Sequence, residues 1–393
     1  MTPGAQDVHC DFSRFVGEVG ASILFTDFLW HGLEACPAEL AERFPALLAW
    51  KGVTALKQEL CNLTTLPTRT RALLAGRSAQ LMKMAATLLY RPCRNVLVTD
   101  LGWPPYHTIL DGESRRMNRR RTTVKLQREL PTSELDQEEI VERIRAAYIV
   151  HHCDGLFLTA VSHLGVRLPV QEIVQAIAQS AELRFVVVDG AQDFCHVDSD
   201  LQGDCADLYL AGAHKWLGSF HPLGLAFYGK RRSRDLVETV LQDNLDCGNL
   251  DDPLLRFMNS GNTSESGCPE ETVNLAGLFS CQGAVSDATM LVADKARQFA
   301  SRLANARAIA EMAESLGWSS EMPRQPLQCG ILLLQSRSER IRSLPAESLR
   351  SRFYQHGIAL TGYDQGRVRL SMPGDRLNEE DLNSIRTALT GVA

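Results

Sequence analysis

The chain of 393 residues is 45% apolar and 22% charged with a net charge of −6, the profile of a soluble globular protein of about two domains. That balance excludes a general nucleic-acid binder, whose footprint is basic, and no apolar run approaches the ~20 residues of a membrane span. Eleven cysteines are scattered without C-x-x-C pairs or His/Cys clusters, a pattern that suggests neither a zinc site nor a disulfide framework. The start "MTPGAQDVHCDFSRFVG" lacks signal architecture, so a cytoplasmic protein with reduced thiols is expected.

In chain order, "LLAGRSAQLMKMAATLL" (73–89) reads as a small-residue loop opening a helix, with Ser78 as N-cap. Backbone N–H groups at Ser78 and Ala79 would suit a phosphate there. The run "NVLVTD" (95–100) reads as a strand, and Trp103 just beyond it offers an apolar face to a ring. "SRRMNRRRTTVK" (114–125) reads as a solvated loop leading into a strand, or as a docking patch for an acidic partner such as a carrier protein. A helix is expected over 135–148, a strand over 155–161 ending at Ser162, and a helix over 170–183. Strands follow at 184–190, 207–212 and 223–229. Short apolar strands alternating with helices imply an α/β chain with a mostly parallel sheet covered on both faces. After about 255 a long helix (286–317), strands at 329–335 and 367–372 and a closing helix read as a smaller α+β domain. The expected division is an N-terminal segment over 1–50, a large domain over 51–255 and a small domain over 256–393, with 251–271 as a hinge-like loop.

In an open parallel sheet, ligands bind at the carboxyl ends of the strands. Thr99, Asp100, Ser162, Asp189 and the pair His214-Lys215 all fall at such ends. Singly, each is an ordinary turn or cap residue. Together, a lysine 26 positions after an aspartate matches what pyridoxal phosphate (PLP) needs: an amine for a Schiff base and a carboxylate to keep the pyridine nitrogen protonated.

The stretch "VVVDGAQDFCHVD…ADLYLAGAHKWLG" resembles the core signature of the class V aminotransferase group of fold-type I PLP-dependent enzymes. The nearest branch is the isopenicillin N epimerase-like proteins and related C–S lyases. "FLWHGLEACP" (28–37) resembles an N-terminal motif of that branch, and "VRLS" (368–371) resembles the C-terminal motif of the whole group. The resemblance implies a seven-stranded, mostly parallel sheet and a homodimer with its active site at the interface. Lys215 would be the Schiff-base lysine and the acid/base at the substrate Cα. Asp189 would pair with the pyridine nitrogen, Gln192 would donate to the ring's phenolic oxygen, and Trp103 would stack on the ring. Ser78, Ala79, Ser162 and His214 would complete the cofactor site. Arg369 would clamp the substrate carboxylate, with His31 and Tyr106 on the substrate side and His107 and His163 close by. No metal is implied.

The departures from the group bear on the substrate. Gly212 stands where desulfurases carry a phosphate-binding serine, and Gly267-Cys268-Pro269 stands for their "G-T-P". Trp30 and Leu33 replace Asn and Ser in the N-terminal motif, and the "Y-N" expected after Arg369 is missing. No cysteine lies between 336 and 369, and Cys329 reads as a buried strand residue, so a persulfide route is not expected. The expected reaction starts with Cα deprotonation of an amino acid. A lyase or β/γ-elimination or replacement in specialised biosynthesis ranks first, with transamination and epimerisation as alternatives. A cofactor-free binding protein on the same fold is the reading from a different class.

Overall fold

The computed structural model describes residues 50–64, 66, 69–129, 136–198, 205–259, 273–290 and 294–392. His31, Trp30, Leu33 and Gly267-Cys268-Pro269 lie outside them.

Seven strands form the large sheet: β1 (Arg71–Ala75), β2 (Asn95–Thr99), β3 (Arg120–Val124), β4 (Gly155–Thr159), β5 (Phe185–Asp189), β6 (Leu208–Gly212) and β7 (Gly224–Tyr228). Their spatial order is β1-β7-β6-β5-β4-β2-β3. The pairs from β3 through β6 are parallel, while β7 runs antiparallel to both β6 and β1. Every residue of β2, β4, β5, β6 and β7 is buried. Their unbroken apolar runs therefore require helices on both faces of the sheet. Those helices include α1 (Gly52–Asn62), α2 (Ser78–Tyr90), α3 (Pro104–Arg116), α4 (Gln137–Val150) and α5 (Val170–Ala178), and α6 (Arg231–Asp246), α7 (Pro253–Phe257) and α8 (Ala276–Met290) follow β7 in the chain. The start of α4 is fixed by a capping box between Asp136 and Glu139, worth ~1 kcal/mol.

The second sheet is wholly antiparallel, in the order β10 (Thr361–Tyr363), β11 (Arg367–Ser371), β9 (Ile331–Ser336), β8 (Trp318–Ser320). One apolar cluster joins its strands to α9 (Lys295–Ser315) and to the closing helix Glu379–Val392, through Ile309, Trp318, Leu334, Val368 and Leu389.

Three local differences from the sequence expectation have physical causes. β1 falls where the sequence reads as a loop leading into a helix; "RALLA" carries no β-branched or aromatic residue and is made a strand by pairing with β7. The basic run is not one loop: it spans the end of α3, a turn, and edge strand β3, whose burial is irregular. The long helix expected over 286–317 is present as Ala276–Met290 and Lys295–Ser315.

The topology gathers one edge of the large sheet. Thr159 pairs with Asp189, and Gly212 faces Gly224, which faces Ala75. The ends of β4, β5, β6 and β1 and the start of β7 therefore lie side by side.

Candidate active site

Asp189 ends β5, buried, with 3% of its surface accessible. Its Oδ1 accepts from the N–H of Ala191 at 3.0 Å, and it has no ion-pair partner among the described residues. Burial raises its pKa, against the opposing effects of the Ala191 N–H and of Lys215. Lys215 sits in the turn after β6. Solvent reaches its side chain, yet surrounding protein strips enough hydration to lower its pKa; Asp189 pulls it up and Arg369 pushes it further down.

Arg369 comes from β11, so the second sheet delivers it. Nη1 donates to the carbonyl of His163 at 3.3 Å and Nη2 to Thr361 Oγ1 at 3.2 Å, while Nε is buried without a partner. No carboxylate pairs with Arg369 among the described residues. Its strand neighbour Arg367, by contrast, is held by both oxygens of Glu321 at 2.7 and 2.8 Å. Arg367 borders a cleft of about 300 Å³ together with Gln127, His163, Leu333 and Tyr363, and Arg369, two residues on, shares its face of the strand. His163 is kept neutral: burial first, then Arg369, lower its pKa to about 4. Its Nδ1 is buried without a partner.

The N-terminus of α2 closes the opposite side. Ser78 is the first helical residue rather than the cap; Arg77 takes the cap position, and no side chain caps the helix. The leading N–H groups at Ser78 and Ala79 are therefore left for a ligand. β7 approaches this turn so closely that a Cβ on Gly224 would stand 2.6 Å from Ser78 N. Only glycine fits there. Gly76 is pinned to the same turn by Asp252, whose Oδ1 accepts its N–H at 3.0 Å.

Trp103 precedes α3 and is 47% exposed, free to cover a ring. Tyr106 lies below it, buried, with its ring edge-on to Trp103 at 5.3 Å. Burial raises the Tyr106 phenol, Asp189 adds to that, and a hydrogen bond with the Ser78 side chain opposes it. Gln192 follows Asp189 in the turn and accepts from Trp216 Nε1 at 2.8 Å. His214 is exposed, with its pKa lowered by burial and by Lys215. A Cβ on Gly212 would lie 3.1 Å from His214 Cε1, so the imidazole fills the space into which a serine would project.

The expected residues Ser78, Ala79, Tyr106, Asp189, Gln192, His214, Lys215 and Arg369 thus converge around one edge. Ser162 lies at the same edge, but its buried hydroxyl accepts from Leu164 N at 3.2 Å and Val166 N at 3.1 Å, so it holds the loop bearing His163. Thr159 was missed in sequence; its buried Oγ1 has no partner and it pairs in register with Asp189. Its place at the end of "GLFLT" was the available signal. Within the basic run, Arg116 pairs with Glu113, while Arg121 pairs with Asp111 and meets His107 Nδ1 at 3.2 Å. Cys329 is fully enclosed, its thiol on the carbonyl of Gly165 at 3.3 Å and pushed up to about 12 by burial. It is no nucleophile. Among the described residues no cluster could hold a metal ion and no helix is long and apolar enough to cross a membrane.

The family model described as aminotransferase class-V matches residues 112–237. No curated protein sequence matches the chain. Among solved structures, alanine–glyoxylate aminotransferase from Nostoc sp. is 17% identical, with a TM-score of 0.62 and 86% of each chain covered. A C-DES mutant with glycine covalently linked to its PLP cofactor is 15% identical, with a TM-score of 0.66, covering 99% of this chain and 93% of its own. Cysteine desulfurase from Thermococcus onnurineus is 13% identical, with a TM-score of 0.62, covering 86% of this chain and 82% of its own. At these identities the likeness is one of fold.

Proposed function

With class-V aminotransferase sequence over 112–237, set in the fold-type I fold of the PLP enzymes, we propose that this chain is a PLP-dependent enzyme acting at the Cα of an amino acid. The observation that carries the reading is a pair of uncompensated charges on either side of Lys215. Asp189 is a buried carboxylate with no cation paired to it, and Arg369 is a part-buried guanidinium with no carboxylate. An unpaired buried charge is costly unless a ligand answers it. A pyridinium N–H answers Asp189, and a substrate carboxylate answers the Arg369 fork bidentately.

The residues fit the cofactor from end to end. The uncapped N–H groups of Ser78 and Ala79 would hold its phosphate, with His214 beside them over Gly212. Gln192 would donate to the phenolic oxygen, and Trp103 would cover the ring. When bound, PLP supplies a carbonyl for amine exchange and an electron-withdrawing ring that stabilises negative charge at Cα. Lys215, with its lowered pKa, is suited to take the Cα proton and return it elsewhere. Arg369 fixes the carboxylate and so orients the Cα–H bond toward that amine, a positioning effect that can supply ~7–11 kcal/mol of the barrier.

For the reaction, the reading is elimination or replacement on a substrate whose side chain carries a heteroatom. The unpartnered Nδ1 of neutral His163, beside Lys215 and Arg369, favours it, because with the ring proton turned to the Leu101 carbonyl this nitrogen can accept a hydrogen bond from a side-chain hydroxyl or thiol. Transamination and epimerisation do not require such a group. Incubation with an amino-acid panel tests this: a lyase releases ammonia or a leaving group. Stoichiometric conversion to the pyridoxamine form would identify an aminotransferase instead, and solvent deuterium at Cα without product an epimerase. A homodimer in the cytoplasm belongs to the same reading. The homodimer is supported by the exposure of Phe220 (57%) in the turn after Lys215, surface that a second copy would cover.

A further inference from the structure

The turn after β5 is gripped by an aromatic stack that reaches into the C-terminal sheet. The indole of Trp216 lies flat on the imidazole of His196, with centroids 3.5 Å apart and planes within 7°. An indole nitrogen can only donate. The Gln192 atom it meets at 2.8 Å must therefore be the amide oxygen, which turns the amide NH2 away from Trp216. The backbone N–H of Gly330 can also only donate, and it does so to His196 Nε2 at 3.0 Å. His196 thus carries its proton on Nδ1 and gives it to the carbonyl of Gln192 at 2.6 Å. Burial keeps the ring neutral, with its pKa lowered to about 3. Arg302, from α9, donates to the His196 carbonyl at 3.0 Å and lies 5.4 Å from the Trp216 ring centroid. Gly330 admits no side chain: a Cβ would stand 2.7 Å from His196 Nε2 and 2.8 Å from Arg302 Cβ. Both the backbone and the side chain of Gln192 are consequently fixed from one stack.

We propose that Trp216, His196 and Gly330 are positioning residues that aim the amide N–H of Gln192 at the cofactor's phenolic oxygen, so that packing of the C-terminal sheet tunes the proton affinity of the bound ring. This rests on the reading that PLP sits over Asp189 and is joined to Lys215. With PLP bound through Lys215, a fixed donor from Gln192 would stabilise negative charge on the phenolic oxygen and so would favour the deprotonated state of the lysine nitrogen. Without Trp216 N–H, nothing distinguishes the two ends of the Gln192 amide, and the donor is present only part of the time.

The test is the pH midpoint of the visible absorption band of the holoenzyme. Trp216→Phe keeps an aromatic ring in the stack and removes the N–H together with the second ring of the indole; the charged and titratable groups near the cofactor ring (Asp189, Lys215, His214, His163 and Arg369) are untouched. The midpoint is expected to rise by about 0.5–1 pH unit, the scale of a weakened hydrogen bond to a charged group, with little change in Tm. Gln192→Leu sets the full size of the rise. Gly330→Ala, made just before β9, should move the midpoint in the same direction. Lower Tm values in Trp216→Phe and Gly330→Ala with unmoved midpoints would mean a purely structural stack and overturn the proposal. So would an unmoved midpoint in Gln192→Leu. A wild-type protein with no visible band at all would instead overturn the functional reading beneath it.

Discussion

Replacing Arg369 is the most informative single perturbation of substrate binding. The side chain is already oriented by His163 O and Thr361 Oγ1, so little entropy remains to be lost when it meets a carboxylate. Truncating one partner of a hydrogen-bonded charge pair costs about 2–5 kcal/mol. Arg369 is only part-buried, which points to the lower half of that range. At ~1.4 kcal/mol per factor of ten, Arg369→Ala should reduce kcat/KM about 30- to 300-fold. Arg369→Lys keeps the charge and loses the planar fork, so a loss of about 5- to 30-fold is expected from ~1–2 kcal/mol. The assay is the rate of the spectral change when holoenzyme meets an amino acid, measured beside the corresponding amino-acid amide. Wild type should prefer the acid by about the factor that Arg369→Ala removes, and the variant should treat acid and amide alike. Removing Arg369 also lifts one cause of the lowered pKa values of Lys215 and His163, so the acid limb of the rate profile should move to higher pH. Equal losses on acid and amide would refute the clamp.

Gly224→Ala places a Cβ against backbone atoms at 2.6–2.8 Å, Ser78 N and Arg77 C among them, and those cannot swing aside. The start of α2 must shift, and PLP affinity, titrated by visible absorbance, should fall by at least about ten-fold, the effect of ~1.4 kcal/mol; an unchanged Kd would remove α2 from the phosphate site. His196 also predicts a pH dependence of stability. Its folded pKa, about 3, is below the ordinary 6.5, so the unfolded state binds the proton first. The neutral ring's contribution is intact above pH 6.5 and is lost as pH falls toward 3. The slope from this one group is ~1.4 kcal/mol per pH unit. The pH slope from urea unfolding between pH 6.5 and 4 should be shallower in His196→Gln than in wild type by that amount, with His163 supplying the slope that remains; parallel profiles would contradict the assignment.

How much of this is legible in the chain depends on whether the signal is local. β4, β5, β6 and β7 are continuous apolar runs and read directly. Asp189 and Lys215 sit where those runs end, so topology alone brings them together. Gly212 reads as a missing hydroxyl in sequence, whereas in the structure the imidazole of His214 stands over it, two residues away and invisible to a comparison of single positions. β1 has no β-branched or aromatic residue and β3 opens on two arginines, so both take their strand character from the neighbours they pair with. The stack of Trp216, His196 and Gly330 is the extreme case. Its members are scattered over more than a hundred positions, and each alone is an unremarkable core residue. Ser162 illustrates the reverse: its strand-end position suggested a ligand contact, and its hydroxyl is bonded within its own loop.

Lys215 is the residue on which the proposed cofactor chemistry turns. Borohydride reduction of the protein purified with PLP, followed by peptide mapping, measures this directly. A single phosphopyridoxyl label on the Lys215 peptide, lost in Lys215→Ala together with the reducible visible band, is the predicted result. A label on another lysine, or a protein that takes up no PLP, would contradict it.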